Sequence, residues 1–219
     1  MSEDLNTDTG RKRIWGLHPN VFFLGIVSLL TDVSSELIFT LVPLFLSNVL
    51  GTTTTIIGFI GGLSDSIEGI LKIFSGLLSD KIRRHKFLAV IGYGLATIAK
   101  PFMYLASSWG AVLSIRLTDR VGKGIRTSPR DALIAESVSS KDRGRGFGLH
   151  RAMDTTGAFL GLAVAAVIIY MVQGGGTMLS LRSYHWLVLA GTIPAVLAVV
   201  MLLIFVREKK HPSDSAHVV

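Results

Sequence analysis

Residues 186–206 read WLVLAGTIPAVLAVVMLLIFV, twenty-one positions without a charge, and Arg207-Glu208-Lys209-Lys210 closes the run. At about 1.5 Å per residue, a helix of this length crosses a hydrocarbon core of about 30 Å. A second uncharged stretch, 155–181, contains AVAAVIIY at 163–170. The composition of the whole chain agrees with these two runs. Of 219 residues, 49% are hydrophobic and only 17% charged, and the mean hydropathy is +0.54. A water-soluble domain has to cover its outside with polar groups, and this chain lacks the charge to do so. The same apolar fraction excludes a disordered chain. The absence of cysteine excludes a disulfide-stapled module and any thiolate metal site.

Less pure apolar segments at about 20–49, 55–80, 87–106 and 110–136, with a fifth at 146–172, bring the expected number of membrane helices to six. Turn formers separate them: 51–55 (GTTTT), 107–110 (SSWG) and the glycines at 174–176. Basic residues set the orientation. Arg11, Lys12, Arg13, Lys81, Arg83, Arg84, Lys86, Lys141, Arg143, Arg145, Arg207, Lys209 and Lys210 flank one side, against Arg182 alone on the other. The positive-inside rule puts both termini in the cytoplasm. The net charge of +7 is therefore topological, and no nucleic-acid partner is expected. The organisation expected is a cytoplasmic tail at 1–19, an all-α integral membrane domain at 20–207 and a cytoplasmic tail at 208–219. Glu3, Asp4 and Asp8 rule out a signal peptide. Trp15 and Trp109 fit interfacial anchors. The six scattered histidines, without metal spacing, read as interfacial or solvated. Glycines 58, 61, 62, 157 and 161 read as close helix contacts.

Charges stand inside these spans. The first helix carries Asp32 and Glu36; the second, Asp65, Glu68 and Lys72; the fourth, Arg116, Asp119, Arg120 and Lys123; the fifth, Arg151 and Asp154. Lys100 is alone on the third, near its outer end and before Pro101, where it can snorkel. Facing lipid, twelve such groups would cost on the order of 35 kcal/mol. They must face one another or a water-filled cavity. Their steps of three and four residues put each set on one helix face, and six acids against six bases leave the interior near neutral. Helix six and most of helix three are free to face lipid.

The loop after the second helix reads GLLSDKIRR at 76–84. Gly76, Asp80, Lys81, Arg83 and Arg84 there resemble the cytoplasmic loop signature of the major facilitator superfamily. The fourth helix, RLTDRVGKG at 116–124, continues through DALIAE at 131–136 to RGRGFG at 143–148. It is similar to the second signature of that family, an intramembrane Arg followed by spaced glycines. Arg83 and Arg120 stand where those signatures carry Gly. GAFLG at 157–161 is similar to the start of the antiporter signature but lacks its following Pro and glycine pair.

The resemblance implies the first six of twelve helices of a transporter in a prokaryotic plasma membrane, built from two inverted three-helix repeats. It implies secondary active transport of a small polar or charged solute by alternating access, driven by a proton or other ion gradient and without a cofactor. Asp32 and Glu36 would be the titrating pair beside Arg116. Burial disfavours a charged carboxylate and a cation favours it, so proton occupancy can change as the cavity opens and closes. Arg120 and Lys123 would be counter-charges or an anion site, with Asp65, Glu68, Lys72, Asp119, Arg151 and Asp154 completing the network. Asp80 with Lys81, Arg83 and Arg84 would latch the cytoplasmic gate. Besides the lipid bilayer and the solute, the implied partner is a second six-helix half: another copy of the chain, a separate chain, or a missing C-terminal half. A truncated or non-transporting membrane fragment is one alternative. A phospholipid-head-group transferase is another, carried by Asp65, Glu68 and Asp80, but Ile73, Ile82 and Lys86 break its spacing. No enzymatic activity is expected.

Overall fold

The computed structural model describes residues 14–82, 84–174, 176 and 178–208. Arg83, both tails up to residue 13 and beyond 208, and the basic residues within those tails lie outside them. Among the described residues there are six long helices: α1 Pro19–Phe39, α2 Thr54–Ile82, α3 His85–Ala99, α4 Trp109–Ser137, α5 Arg143–Gln173 and α6 Leu181–Phe205.

Local chemistry sets their ends. His18 caps α1, its ring accepting from the Asn20 amide, and Pro19 occupies the first turn, where no N–H is needed. The apolar run at 20–49 is not one helix, as its composition alone suggests. Pro43 cannot donate to the carbonyl of Phe39, so α1 stops at Phe39, and a short helix Val42–Leu44 and a π-helical turn Phe45–Val49 follow. Pro101 acts similarly on the third span: α3 ends at Ala99 and tightens into a 3-10 segment, Lys100–Leu105. Ser108 and Ser180 cap α4 and α6. Gly174, at φ +61°, closes α5 in the left-handed conformation that a side chain would resist.

Packing divides the bundle into two groups. α1 lies between α5 and α6, and α4 lies between α2 and α3. Glycine lets the backbones meet. A Cβ at Gly157 would strike the Leu29 carbonyl, and one at Gly161 would lie 2.8 Å from the Val33 carbonyl. Gly92 and Gly122 face each other across α3 and α4 in the same way. Gly58, Gly61 and Gly62 do not make the expected close contacts: nothing lies within 4 Å of a Cβ built there. The N-terminal half of α2 turns that face away from α4, its main neighbour in the bundle.

Two apolar clusters fill the interior. One gathers Leu37, Phe45, Met103, Val112, Tyr184 and Leu187, the other Val21, Leu24, Tyr93, Leu133 and Leu202. Along α1 and α4 most internal polar positions, and Lys100 just past α3, fall between these clusters. Outside, large apolar side chains such as Ile73, Leu77, Phe159, Tyr170 and Ile193 are exposed, the reverse of a soluble protein. Among the described residues, four helical stretches are long and apolar enough to cross a membrane: Pro19–Val49, His85–Leu105, Arg143–Gln173 and Leu181–Phe205. α2 and α4, 29 residues each, carry most of the internal charge.

Candidate functional site

The charged belt has three parts. The first joins α2 to α4. Gly124 lets α4 approach α2, where a Cβ would lie 2.7 Å from Leu71 and 3.1 Å from the Glu68 carbonyl. There Arg120 Nη1 donates to Glu68 Oε2 at 2.8 Å, Lys123 Nζ lies 3.4 Å from Glu68 Oε1, and Arg120 Nε lies 3.6 Å from Asp65. One carboxylate thus holds two cations. Ser128 Oγ donates to the Lys72 carbonyl and Ser75 Oγ to the Ile125 carbonyl, fixing the register of the two helices. Asp65 and Lys72 themselves are exposed.

The second part lies toward the α1 C-terminus. The Arg116 guanidinium sits 4.8 Å above the Phe39 ring, and its buried Nη1 has no hydrogen-bond partner among the described residues. Glu36 accepts from the Thr40 hydroxyl. The expected trio of Asp32, Glu36 and Arg116 is therefore not joined by ion pairs among the described residues. Asp119 is buried and likewise makes none.

Lys100 corrects the sequence reading. It does not snorkel: it is wholly buried, and its ammonium donates to Ser34 Oγ at 2.8 Å and Ser35 Oγ at 3.1 Å. Where Pro101 ends the α-helix, the side chain points inward onto α1, between the positions of Asp32 and Glu36. Lys100→Met keeps most of the volume, and the two serines can then turn back to helix carbonyls. The expected loss is about 1 kcal/mol, read as a lower Tm in mild detergent.

The third part lies toward the helix ends that carry the basic flanks. Arg130 is bound by Asp131 at 3.0 Å and donates to Ser28 Oγ at 3.3 Å. Arg126 is buried, stacked 4.2 Å over Tyr93, with Nε and Nη1 unpartnered. His150 Nδ1 lies 3.8 Å from Asp154 on the next turn of α5. Asp32 on α1 feels the charges of Asp154, Arg126, Lys123 and Arg130. Arg151 is exposed, in a shallow groove on α5 with Thr155, Thr156 and Phe159. Near the loop after α2, His85 joins three helices: its Nδ1 is 2.6 Å from Ser79 Oγ and its Nε2 3.1 Å from Glu136 Oε1. Asp80, Lys81 and Arg84 beside it are exposed.

His85 and His150 are thus buried, not interfacial or solvated as their scatter suggests. Arg126, Arg130, Asp131, His150, Ser34 and Ser35 are the polar groups that the spacing argument does not single out. Arg126 and Arg130 carry a signal all the same, since they continue the steps of three and four beyond Lys123 on the same helix. Among the described residues no cluster of His, Asp or Glu converges as a metal site would.

The family model described as Major Facilitator Superfamily matches residues 24–218. An uncharacterized MFS-type transporter of Methanocaldococcus jannaschii is 40% identical over 200 residues, 91% of this chain and 47% of the relative. The multidrug resistance protein MdtH of Photorhabdus laumondii is 26% identical over 148 residues, 68% of this chain and 37% of that protein. Among solved structures, a bacterial homolog of the human lysosomal transporter Spinster, inward-facing and occupied, superposes with a TM-score of 0.67 at 16% identity. That match covers 90% of this chain and 46% of the other, and it carries the fold alone. The chain spans about half the length of the relatives it matches.

Proposed function

Because the chain belongs to the Major Facilitator Superfamily, we propose that residues 20–207 are one six-helix half of a secondary active transporter in a prokaryotic plasma membrane, with the flanking tails on the cytoplasmic side. The half moves a small polar or charged solute by alternating access, coupled to protons, and works with a second six-helix half. In this reading α1–α3 and α4–α6 are inverted repeats, and α2 and α4 cross the membrane with the other four because their charges face one another.

The observation that carries the reading is the belt of ionisable side chains between two apolar clusters, only part of it paired. A structural pin neutralises its charges locally, because a buried unpaired charge is expensive. Here Glu68 is paired, whereas Asp32, Arg116 and Asp119 make no ion pair among the described residues. Such groups are available to a proton or an ionised solute. Asp32 and Glu36 are the proton carriers in this reading and Arg116 their counter-charge. Asp65, Glu68, Lys72, Asp119, Arg120, Lys123, Arg151 and Asp154 form the substrate-facing network. Gly76, Asp80, Lys81, Arg83 and Arg84 form the cytoplasmic gate.

Native mass spectrometry of the chain purified from its own host in nanodiscs tests the assembly. The expected species holds two halves: a dimer of the 23.6 kDa chain, an equal amount of a second membrane protein, or a longer polypeptide containing this half. A lone monomer overturns self-sufficient transport. In the assembled carrier, uptake of radiolabelled ionised solutes is to be driven by an imposed pH gradient. Glu36→Gln and Arg116→Ala are expected to abolish that uptake while leaving the assembly intact. Uptake indifferent to both substitutions sinks the coupling assignment.

A further inference from the structure

We propose that the groove between α6 and the 3-10 segment after α3 is a lipid site. It takes one acyl chain of an anionic phospholipid, whose phosphate lies against Arg182. The inference goes beyond transport. It needs only that these two spans sit in a bilayer, for which both are long and apolar enough.

The groove opens where Pro101 ends the α-helix. Pro101 and Tyr104 form one wall, and the other runs along α6 from Val188 to Leu197, enclosing about 370 Å³. Nine steps along α6 cover about 14 Å, close to the depth of one leaflet in a hydrocarbon core of about 30 Å. Thr192 does not interrupt the apolar lining, because its hydroxyl donates to the Val188 carbonyl one turn back at 2.7 Å. Leu189, Ile193, Val196 and Leu197 are all exposed, so the described residues leave the groove open.

The mouth of the groove carries charge. His185 stacks on Tyr104 with ring centroids 4.0 Å apart, which ties the 3-10 segment to α6. Arg182 stands one turn nearer the start of α6; it is exposed and makes no hydrogen bond or ion pair among the described residues. Residues 37–64, 101–115 and 155–181 contain no Asp, Glu, Lys or Arg, so this end of the six helices offers Arg182 no acid. Its counter-ion has to come from another molecule. A cation at the mouth of an apolar groove one leaflet deep matches a phospholipid end for end. Trp186, exposed one turn after Arg182, fits the same depth, where indole rings settle between headgroups and hydrocarbon. A free phosphate would leave the groove uncovered, and an apolar partner helix would leave Arg182 unmatched.

The test uses Trp186 as reporter. Trp15 and Trp109 are replaced by Phe, and the full chain is reconstituted in vesicles of phosphatidylcholine and phosphatidylglycerol. In one set the first lipid carries brominated acyl chains, in the other the second; bromine quenches an indole only at close range. Phosphatidylglycerol is expected to reach Trp186 with about fivefold preference, which is what one basic side chain near a charged lipid surface supplies. Arg182→Gln removes the cation, and the pair Ile193→Phe with Val196→Phe fills the groove. Each is expected to bring the preference down to about one, and all three positions are exposed, so the fold is spared. Equal quenching by the two lipids in the parent chain overturns the site. A preference that survives the filled groove overturns the groove as its seat, and one that survives Arg182→Gln overturns the headgroup assignment. No outcome depends on uptake, so failure here leaves the transport reading standing, and failure of transport leaves the lipid site.

Discussion

Gly122→Leu is expected to lose most of the folded chain. α3 and α4 cross with backbones in contact, and a Cβ at Gly122 would lie 2.6 Å from the Gly92 carbonyl oxygen and 2.8 Å from the Ala96 amide. Neither can rotate away, because both are backbone atoms locked in a helix. The helices must separate along their length, and packing around Tyr93 and Leu133 separates with them. The expected cost is about 3 kcal/mol, the upper end for overpacking a well-filled interior. Gly62→Leu is the matched control, since a Cβ there meets nothing within 4 Å. Thermal unfolding in mild detergent should give a large fall in Tm for the first and a small change for the second. Equal effects would mean that the crossing does not hold α3 and α4 together.

Arg120→Ala should detach α2. That helix rests almost wholly on α4, and its closest ion pairs there are those of the Glu68 carboxylate with Arg120 and Lys123, beside the Ser75 and Ser128 hydrogen bonds. Without Arg120, Glu68 keeps only the longer contact to Lys123. Breaking a buried pair typically costs about 3–5 kcal/mol; Glu68 and Arg120 retain 22% and 15% exposure, so about 2 kcal/mol is expected here. Hydrogen exchange should speed up in α2 before α1 or α6 responds. The double variant Arg120→Met with Glu68→Gln removes both charges and should recover much of the loss. A double variant as unstable as the sum of the two single variants would deny the pairing.

Much of this was legible beforehand. Uncharged runs such as 186–206 are long enough to be read without context, and the loop at 76–84 together with helix α4 pointed to the family. Cost alone also argues for turning charges such as Asp119 and Arg120 inward, whereas Asp65, Lys72 and Arg151 are exposed. What spacing cannot give is the neighbour. Arg116 and Arg120 are one turn apart on one face, yet the first reaches Phe39 on α1 and the second Glu68 on α2. Lys100 looked terminal because its distance to the span's end is short, but direction depends on the helix rotation that Pro101 stops. Gly58 and Gly157 are identical in composition and opposite in surroundings. His150 is one of six scattered histidines in the sequence, yet it is buried beside Asp154.

The placement of α1 between α5 and α6 also bears on biosynthesis. Of the six described helices, the first has the fifth and sixth as its main neighbours: Asn20 donates to the Arg207 carbonyl at 2.7 Å across 187 residues. While α2, α3 and α4 are being inserted, α1 waits in the bilayer with Asp32 and Glu36 uncovered, at a depth where lipid does not tolerate them. A chain stalled before residue 181 therefore leaves α1 half-covered and open to membrane quality control. These six helices should become resistant to that surveillance when α6 enters and covers α1.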